Sequence, residues 1–130
     1  MRVLLDTHAF LWFVAGDAAL SDDARAAIEN QENEVLVGIA SAWEIAIKTS
    51  LGKLTVDAAS VEAFFDEQMA SNGFEYLPIQ PAHVFRVATL PFHHRDPFDR
   101  ILIAQALVEG LTLASRERAM FARDGVTALW

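Results

Sequence analysis

The sequence predicts an α/β fold of three layers, in which helices cover both faces of a mainly parallel sheet of about five strands. Short runs of branched apolar residues alternate with segments of helical periodicity along the whole chain. The 130 residues contain no repeat, linker or low-complexity segment. We therefore expect a single domain spanning residues 1–130.

The first part of the chain, up to residue 73, predicts two buried strands and four helices. Both strands are short runs of branched apolar residues. Most of the helices begin at Ser or Thr and end at or just before Gly, which are the preferred residues at helix starts and stops. The predicted strands are Arg2–Leu5 and 35–37, and the predicted helices are Thr7–Ala15, 21–30, 41–51 and 60–72.

The second part of the chain predicts three strands and three helices. Pro78 assigns the strand 76–79 to an edge of the sheet, because proline cannot donate to a ladder on both sides. A helix over 81–90 follows, then a helix that runs from Pro97 to Glu109 and stops before Gly110. The chain ends with a strand over 112–114, a short helix over 115–123 and a possible strand over 128–130.

Composition limits the partners and the location of the protein. The net charge of −8 argues against a broad basic surface for nucleic acid, so phosphate binding requires a local patch or bound cations, and it suits a basic protein partner. With no cysteine, disulfides and thiolate metal sites are excluded. The N-terminal apolar run is too short for a signal peptide or a membrane span, so we expect a cytoplasmic protein without membrane contact. The hydrophobic fraction of 53% indicates that another subunit covers part of the surface.

The segment around Asp96 and Asp99 places two carboxylates at the start of a helix. Asp96 followed by Pro97 is typical of an N-cap and the first helical position. Asp99 then falls in the first turn, where the helix dipole favours a negative charge. The pair is explained equally well as a cap or as half of a metal site.

Four acids are predicted to meet at the edge of the sheet where the strands end: Asp6, Glu44, Asp99 and Glu117. Asp6 ends the first strand, Glu44 lies in the first turn of the helix after the second strand, and Glu117 follows the fourth strand. Asp99 opens the helix that leads into the fourth strand. Singly, several of them also fit caps. Asp6 can cap the first helix, Ser41 and Glu44 have capping-box spacing, and Ser115 can cap a helix that contains Glu117. Jointly, four carboxylates in one crevice repel one another and lose water, which is costly without a cation.

An oxygen-only cluster of this kind favours Mg²⁺ or Mn²⁺. Such ions support the attack of an activated water on a phosphodiester. Asp6 and Asp99 are predicted to hold the ion, Glu44 to bind or orient the water, and Glu117 to complete a second position. Four basic residues are candidates for a small cationic rim that binds phosphates, or for pairing with the acids of the site: Lys48, Arg95, Arg100 and Arg116. Lys48 lies four residues after Glu44 and is expected to pair with it, whereas Arg100 suits either a substrate phosphate or its neighbour Asp99.

Three segments together resemble the PIN-domain family, and more narrowly the VapC-type toxins of toxin–antitoxin pairs. They are Leu4-Leu5-Asp6-Thr7-His8, the run from Ser41 to Lys48 with 51–54, and the run from His94 to Arg100 with 103–106. The resemblance covers essentially the whole chain.

The resemblance implies an α/β/α PIN fold and Mg²⁺- or Mn²⁺-dependent endoribonuclease activity. It also implies a homodimer that a VapB-like antitoxin neutralises. The family's acids fall on Asp6, Glu44 and Asp99, and the fourth falls on Glu117. Asp96 is an extra acid, interpreted as a cap that supports the site and is available as a ligand, and Thr7 belongs to the first motif. Where the family has Thr-x-Asp, this chain has Ser115-Arg116-Glu117.

Two other classes of function remain open from the sequence. A catalytically idle binding protein with the same fold would explain why Ser115-Arg116-Glu117 stands where the family has Thr-x-Asp. A receiver-like signalling module would also place an acidic Mg²⁺ pocket at strand ends, but it requires a lysine after a late strand, and no lysine follows Lys53.

Overall fold

A computed structural model describes all 130 residues and shows a five-stranded parallel sheet with seven helices. The strands are β1 (Arg2–Leu5), β2 (Glu34–Gly38), β3 (Glu75–Leu77), β4 (Thr112–Ala114) and β5 (Ala128–Leu129). The helices are α1 (Thr7–Ala15), α2 (Asp22–Glu29), α3 (Ile39–Ser50), α4 (Val61–Asn72), α5 (Pro81–Val87), α6 (Pro97–Glu109) and α7 (Arg118–Ala122). None of these helices is both long enough and apolar enough to cross a bilayer.

The sheet is centred on β1, in the order β3-β2-β1-β4-β5. Leu4 of β1 is in register with Leu36 of β2 on one side and with Leu113 of β4 on the other. The chain moves outward from β1 in one direction through β2 and β3, and in the other direction through β4 and β5. The carboxyl end of β1 is therefore the point where the strand order reverses, the usual location of sites in parallel sheets.

Alternate residues of β1 point into two separate apolar layers, as the period of a strand requires. Val3 and Leu5 join the layer under α1 and α4, whose centre is Phe10. The ring of Phe10 stacks on Phe65 with centroids 5.3 Å apart. Leu4 points into the opposite layer, which α6 covers. Burial on both faces fixes the position of the carboxyl end of β1.

The predicted α/β fold is confirmed, and β3 is an edge strand that pairs only with β2. The predicted start of α3 was wrong: the helix begins at Ile39, directly after the strand, with Gly38 as its N-cap. The hydroxyl of Ser41 is buried without a hydrogen-bond partner, so Ser41 and Glu44 form no capping box. Strand β2 runs straight into α3, and this continuity places the helix start.

Candidate active site: an acidic pocket at the carboxyl end of the central strand

A pocket of about 550 Å³ opens at the carboxyl end of β1. It brings together all four predicted acids and two of the supporting residues, together with four side chains whose roles are described below. Trp12 is the only hydrophobic residue among the ten that line it. The lining residues are Asp6, Thr7, His8, Trp12, Glu44, Lys48, Asp96, Asp99, Arg116 and Glu117.

Asp6 is fixed by both its backbone and its side chain. Its backbone N–H donates to the carbonyl of Ala114 on β4 at 3.1 Å, and its Oδ1 accepts from the N–H of Ala9 at 2.7 Å. The predicted cap of α1 is therefore confirmed. Burial raises the pKa of the Asp6 carboxyl, and hydrogen bonding by Ser115 and Ala9 offsets this only in part. The charge of Glu117 raises it further.

Glu44 lies in the second turn of α3, not in the first turn as predicted, and its side chain is buried. Both carboxylate oxygens have partners. Oε1 accepts from the hydroxyl of Thr7 at 2.6 Å, and Oε2 pairs with Nζ of Lys48 at 2.8 Å. The predicted pairing of Lys48 with Glu44 is confirmed. Two short charge-assisted hydrogen bonds hold this carboxylate in one orientation.

Asp96 and Asp99 occupy the start of α6 as predicted. Asp96 is the N-cap, and its Oδ1 accepts from the N–H of Phe98 at 2.8 Å. Asp99, in the first turn, is half-buried and its carboxylate accepts no hydrogen bond from the chain. The pKa of Asp99 is raised to about 7, first by burial and then by the charges of four acids: Asp96, Glu117, Asp6 and Glu44. Asp99 is thus the point where the negative charge of the pocket is least compensated.

Glu117 reaches the pocket from the loop before α7. The prediction that it lies inside a helix capped by Ser115 was wrong, because α7 begins at Arg118 and Glu117 itself is not helical. The hydroxyl of the fully buried Ser115 accepts from the N–H of Glu117 at 3.1 Å. This local turn, which Ser residues favour, holds the exposed Glu117 at the rim.

The donor set suits a hard divalent cation. All of the lining acids offer oxygen, and the raised pKa values of Asp6 and Asp99 show that a cation would relieve unfavourable negative charge. As the side chains lie, no group of three acidic or histidine residues converges closely enough to hold a metal ion. Mg²⁺ usually keeps several waters and needs only one or two carboxylates, so Asp6 and Asp99 with water ligands fit it.

Comparison with known proteins decides the family. The model of the PIN domain matches residues 3–125, which is nearly the whole chain. The chain is a PIN-domain protein. No curated protein sequence matches it significantly.

Solved structures with the same PIN fold are distant in sequence. VapBC2 from Rickettsia felis, bound to a promoter DNA fragment, matches with a TM-score of 0.74 and 14% identity, over 100% of this chain and 99% of that chain. VapBC from Salmonella typhimurium, bound to DNA, matches with a TM-score of 0.68 and 12% identity, over 99% of this chain and 97% of that chain. FitAcB from Neisseria gonorrhoeae matches with a TM-score of 0.66 and 16% identity, over 98% of this chain and 96% of that chain. At this identity the similarity concerns the fold.

Arg100 lies outside the pocket of this PIN domain. Its guanidinium donates to the carbonyls of Val87 at 3.0 Å and Pro91 at 3.1 Å, and it lies over the ring of Phe92. It therefore holds the loop before α6 and neither pairs with Asp99 nor faces a substrate in the pocket. Successive residues of a helix point about 100° apart, so adjacency to Asp99 does not place Arg100 on the same side.

Three further residues line the pocket: His8, Trp12 and Arg116. His8 and Trp12 are one turn apart on α1 and their rings lie 5.3 Å apart, which the i, i+4 spacing would have indicated. Of the four basic residues predicted for a cationic rim, Arg116 and Lys48 line the pocket, whereas Arg95 and Arg100 do not. The PIN domain thus has one aromatic and cationic wall beside its acids.

Proposed function

We propose that this PIN-domain protein is an endoribonuclease toxin that hydrolyses RNA phosphodiester bonds with the help of Mg²⁺ or Mn²⁺. The observation that carries the proposal is the convergence of five carboxylates on one pocket. Burial first, and then the charges of the other four acids, raise the pKa of Asp99 to about 7. No cysteine is present, and the one hydroxyl lining the pocket, that of Thr7, is engaged by Glu44. This favours water as the nucleophile.

In the proposed reaction, Asp6 and Asp99 hold the cation at the end of β1. When bound, the ion would lower the pKa of a water molecule and stabilise negative charge on the phosphate oxygens. Glu44, whose orientation is kept by Thr7 and Lys48, would orient the attacking water and accept its proton. As the water oxygen bonds to phosphorus, the P–O bond to the leaving ribose oxygen breaks, and that oxygen takes a proton from solvent. Glu117 would complete a second position from the rim of the pocket.

A groove beside the pocket supports the proposal of a VapB-like antitoxin as partner. The groove has a volume of about 780 Å³ and shares His8, Trp12 and Lys48 with the acidic pocket. Leu11, Val14, Leu54 and Val56 are among its apolar residues. A segment of an antitoxin with apolar side chains would lie along this groove and extend a basic residue into the acidic pocket, where it would compete with the metal.

A second groove supports the proposal of a homodimer. Seven of its eight residues are hydrophobic, and none is charged. Trp43 is 61% exposed there and Val84 is 51% exposed. Because a patch without charge meets no like-charge repulsion against its own copy, a two-fold dimer through this face suits a chain of net charge −8. The eight residues are Ala40, Trp43, Ile79, Val84, Val87, Pro97, Phe98 and Ile101.

The proposal is tested by incubating the protein with a mixed pool of single-stranded RNA in Mg²⁺, in Mn²⁺ and in EDTA. Asp99→Asn is assayed identically. Glu32→Gln is the control, because it removes one exposed charge just before the amino end of β2, outside the acidic pocket. We expect cleavage with either metal, none in EDTA, none by Asp99→Asn and full activity in Glu32→Gln. Cleavage that persists in EDTA or in Asp99→Asn would refute the metal-dependent mechanism.

A further inference from the structure

The two basic residues that line the acidic pocket differ in how they are used. Lys48 pairs with Glu44 at 2.8 Å. Arg116 forms no ion pair with any carboxylate, and its side chain makes no hydrogen bond within the chain. A guanidinium beside five carboxylates, with all of its N–H donors free, is available to an anionic ligand.

The exposed side chain of Arg116 lies over an aromatic ring. Its guanidinium carbon lies 5.8 Å from the ring centre of Trp12. Trp12 in turn packs edge-on against Trp130, with ring centres 5.8 Å apart. The tilted ring of the exposed His8 lies 5.3 Å from Trp12 on the same helix. The backbone before Arg116 is held by β5, because the N–H of Ser115 donates to Leu129 at 3.1 Å. The wall is therefore organised before any ligand arrives.

We propose that Arg116 binds a phosphate next to the scissile phosphate of a single-stranded RNA. This inference rests on the proposed nuclease function of the same pocket. A guanidinium matches two phosphate oxygens at once, and it retains this fork when stacked on an aromatic ring. In a chain of net charge −8, such a local cation offsets repulsion of the substrate beside the metal.

The aromatic part of the wall determines the substrate class. His8 and Trp12 offer ring surface next to Arg116, and a base reaches such a surface only after leaving its own stack. Unpaired strands meet this condition and regular duplexes do not. The wall formed by Arg116, Trp12 and His8 therefore suits an unpaired strand, with the base against a ring and the phosphate on Arg116.

The test measures RNA binding separately from cleavage. Asp99→Asn serves as the non-cleaving parent, and the anisotropy of a labelled single-stranded RNA is followed at several KCl concentrations. Adding Arg116→Ala is expected to weaken binding about tenfold. It is also expected to reduce the slope of log K against log salt by about 0.7, the value of one lost phosphate contact on a single strand. Arg116→Lys is expected to keep the slope and recover part of the affinity.

The matched control is Arg118→Ala, which removes an exposed arginine two residues away and outside the pocket. Equal losses in Arg116→Ala and Arg118→Ala, or parental binding by Arg116→Ala, would overturn the proposal. So would unchanged RNA binding with lost neutralisation by the antitoxin, which would assign Arg116 to the protein partner. If the wild type does not cleave RNA, but Arg116→Ala alone weakens RNA binding, the phosphate site is supported and the nuclease function is refuted.

Discussion

Replacing Asp99 by asparagine should stabilise the metal-free protein at alkaline pH. In the folded protein the pKa of Asp99 is raised from 3.8 to about 7, first by burial and then by the surrounding carboxylates. The full shift corresponds to about 4 kcal/mol. Because the side chain is only half-buried, solvent screening reduces the expected gain in the free energy of unfolding to about 1–2 kcal/mol.

The pH dependence has a defined sign. Above pH 7 the carboxylate is ionised in both states, and the folded state bears the full cost of its charge. As the pH falls from about 7 towards 3.8, the folded state takes up a proton that the unfolded state does not bind, so the wild type gains stability. Near pH 4 the advantage of Asp99→Asn should have disappeared.

Urea unfolding followed by circular dichroism, between pH 4.5 and 8.5 in EDTA, measures this difference. Glu32→Gln controls for the loss of one negative charge from a chain of net charge −8. Adding Mn²⁺ should reverse the order, because only the wild type retains the full set of ligands. A stability difference that does not change with pH, or a less stable Asp99→Asn at pH 8.5 without metal, would refute this reasoning.

Three further substitutions test other parts of the molecule. Thr7→Val removes the 2.6 Å hydrogen bond to Glu44, so single-turnover cleavage should slow about tenfold and stability should fall by about 1 kcal/mol; an unchanged rate would contradict a positioning role. Trp43→Glu places a charge on the exposed apolar groove, and sedimentation should show a monomer in place of a dimer; an unchanged mass would exclude this face as the dimer interface. His94→Ala leaves a buried carboxylate without its 2.8 Å partner and should cost about 3 kcal/mol in urea unfolding, whereas the exposed neighbour His93→Ala should change little; equal effects would contradict this.

The sequence predicted the fold well because its strands and helices are marked locally. The branched run at Arg2–Leu5 and the apolar α1 show clear patterns, and Pro78 placed β3 at an edge. Helix starts were less reliable. Ser41 and Glu44 have the spacing of a capping box, but α3 begins at Ile39 because β2 continues directly into it. A serine followed three residues later by a glutamate is the pattern of a capping box, and the same pattern occurs here with the glutamate in the acidic pocket. Only the position of the end of β2 in the sheet distinguishes the two cases.

The meeting of four acids in one pocket could be predicted because Asp6, Glu44 and Glu117 come shortly after strands, and parallel strands end at one edge. Asp99 instead opens the helix that leads into β4. The direction in which individual side chains point could not be predicted. Arg100 points to the loop carbonyls of Val87 and Pro91, although it adjoins Asp99 in sequence. Arg116 lies over Trp12, which is more than a hundred residues away along the chain, and no local spacing records such a contact.

Calorimetric titration of the wild type with Mn²⁺ above pH 7, beside Asp6→Asn and Asp99→Asn, tests the central claim most directly. We expect at least one Mn²⁺ to bind per wild-type chain, and to bind more than tenfold more weakly to each variant. Affinity should also decline below pH 7, where protons compete for Asp99. Absence of Mn²⁺ binding to the wild type, or equal affinity in all three proteins, would contradict the assignment of the acidic pocket as a metal-dependent nuclease site.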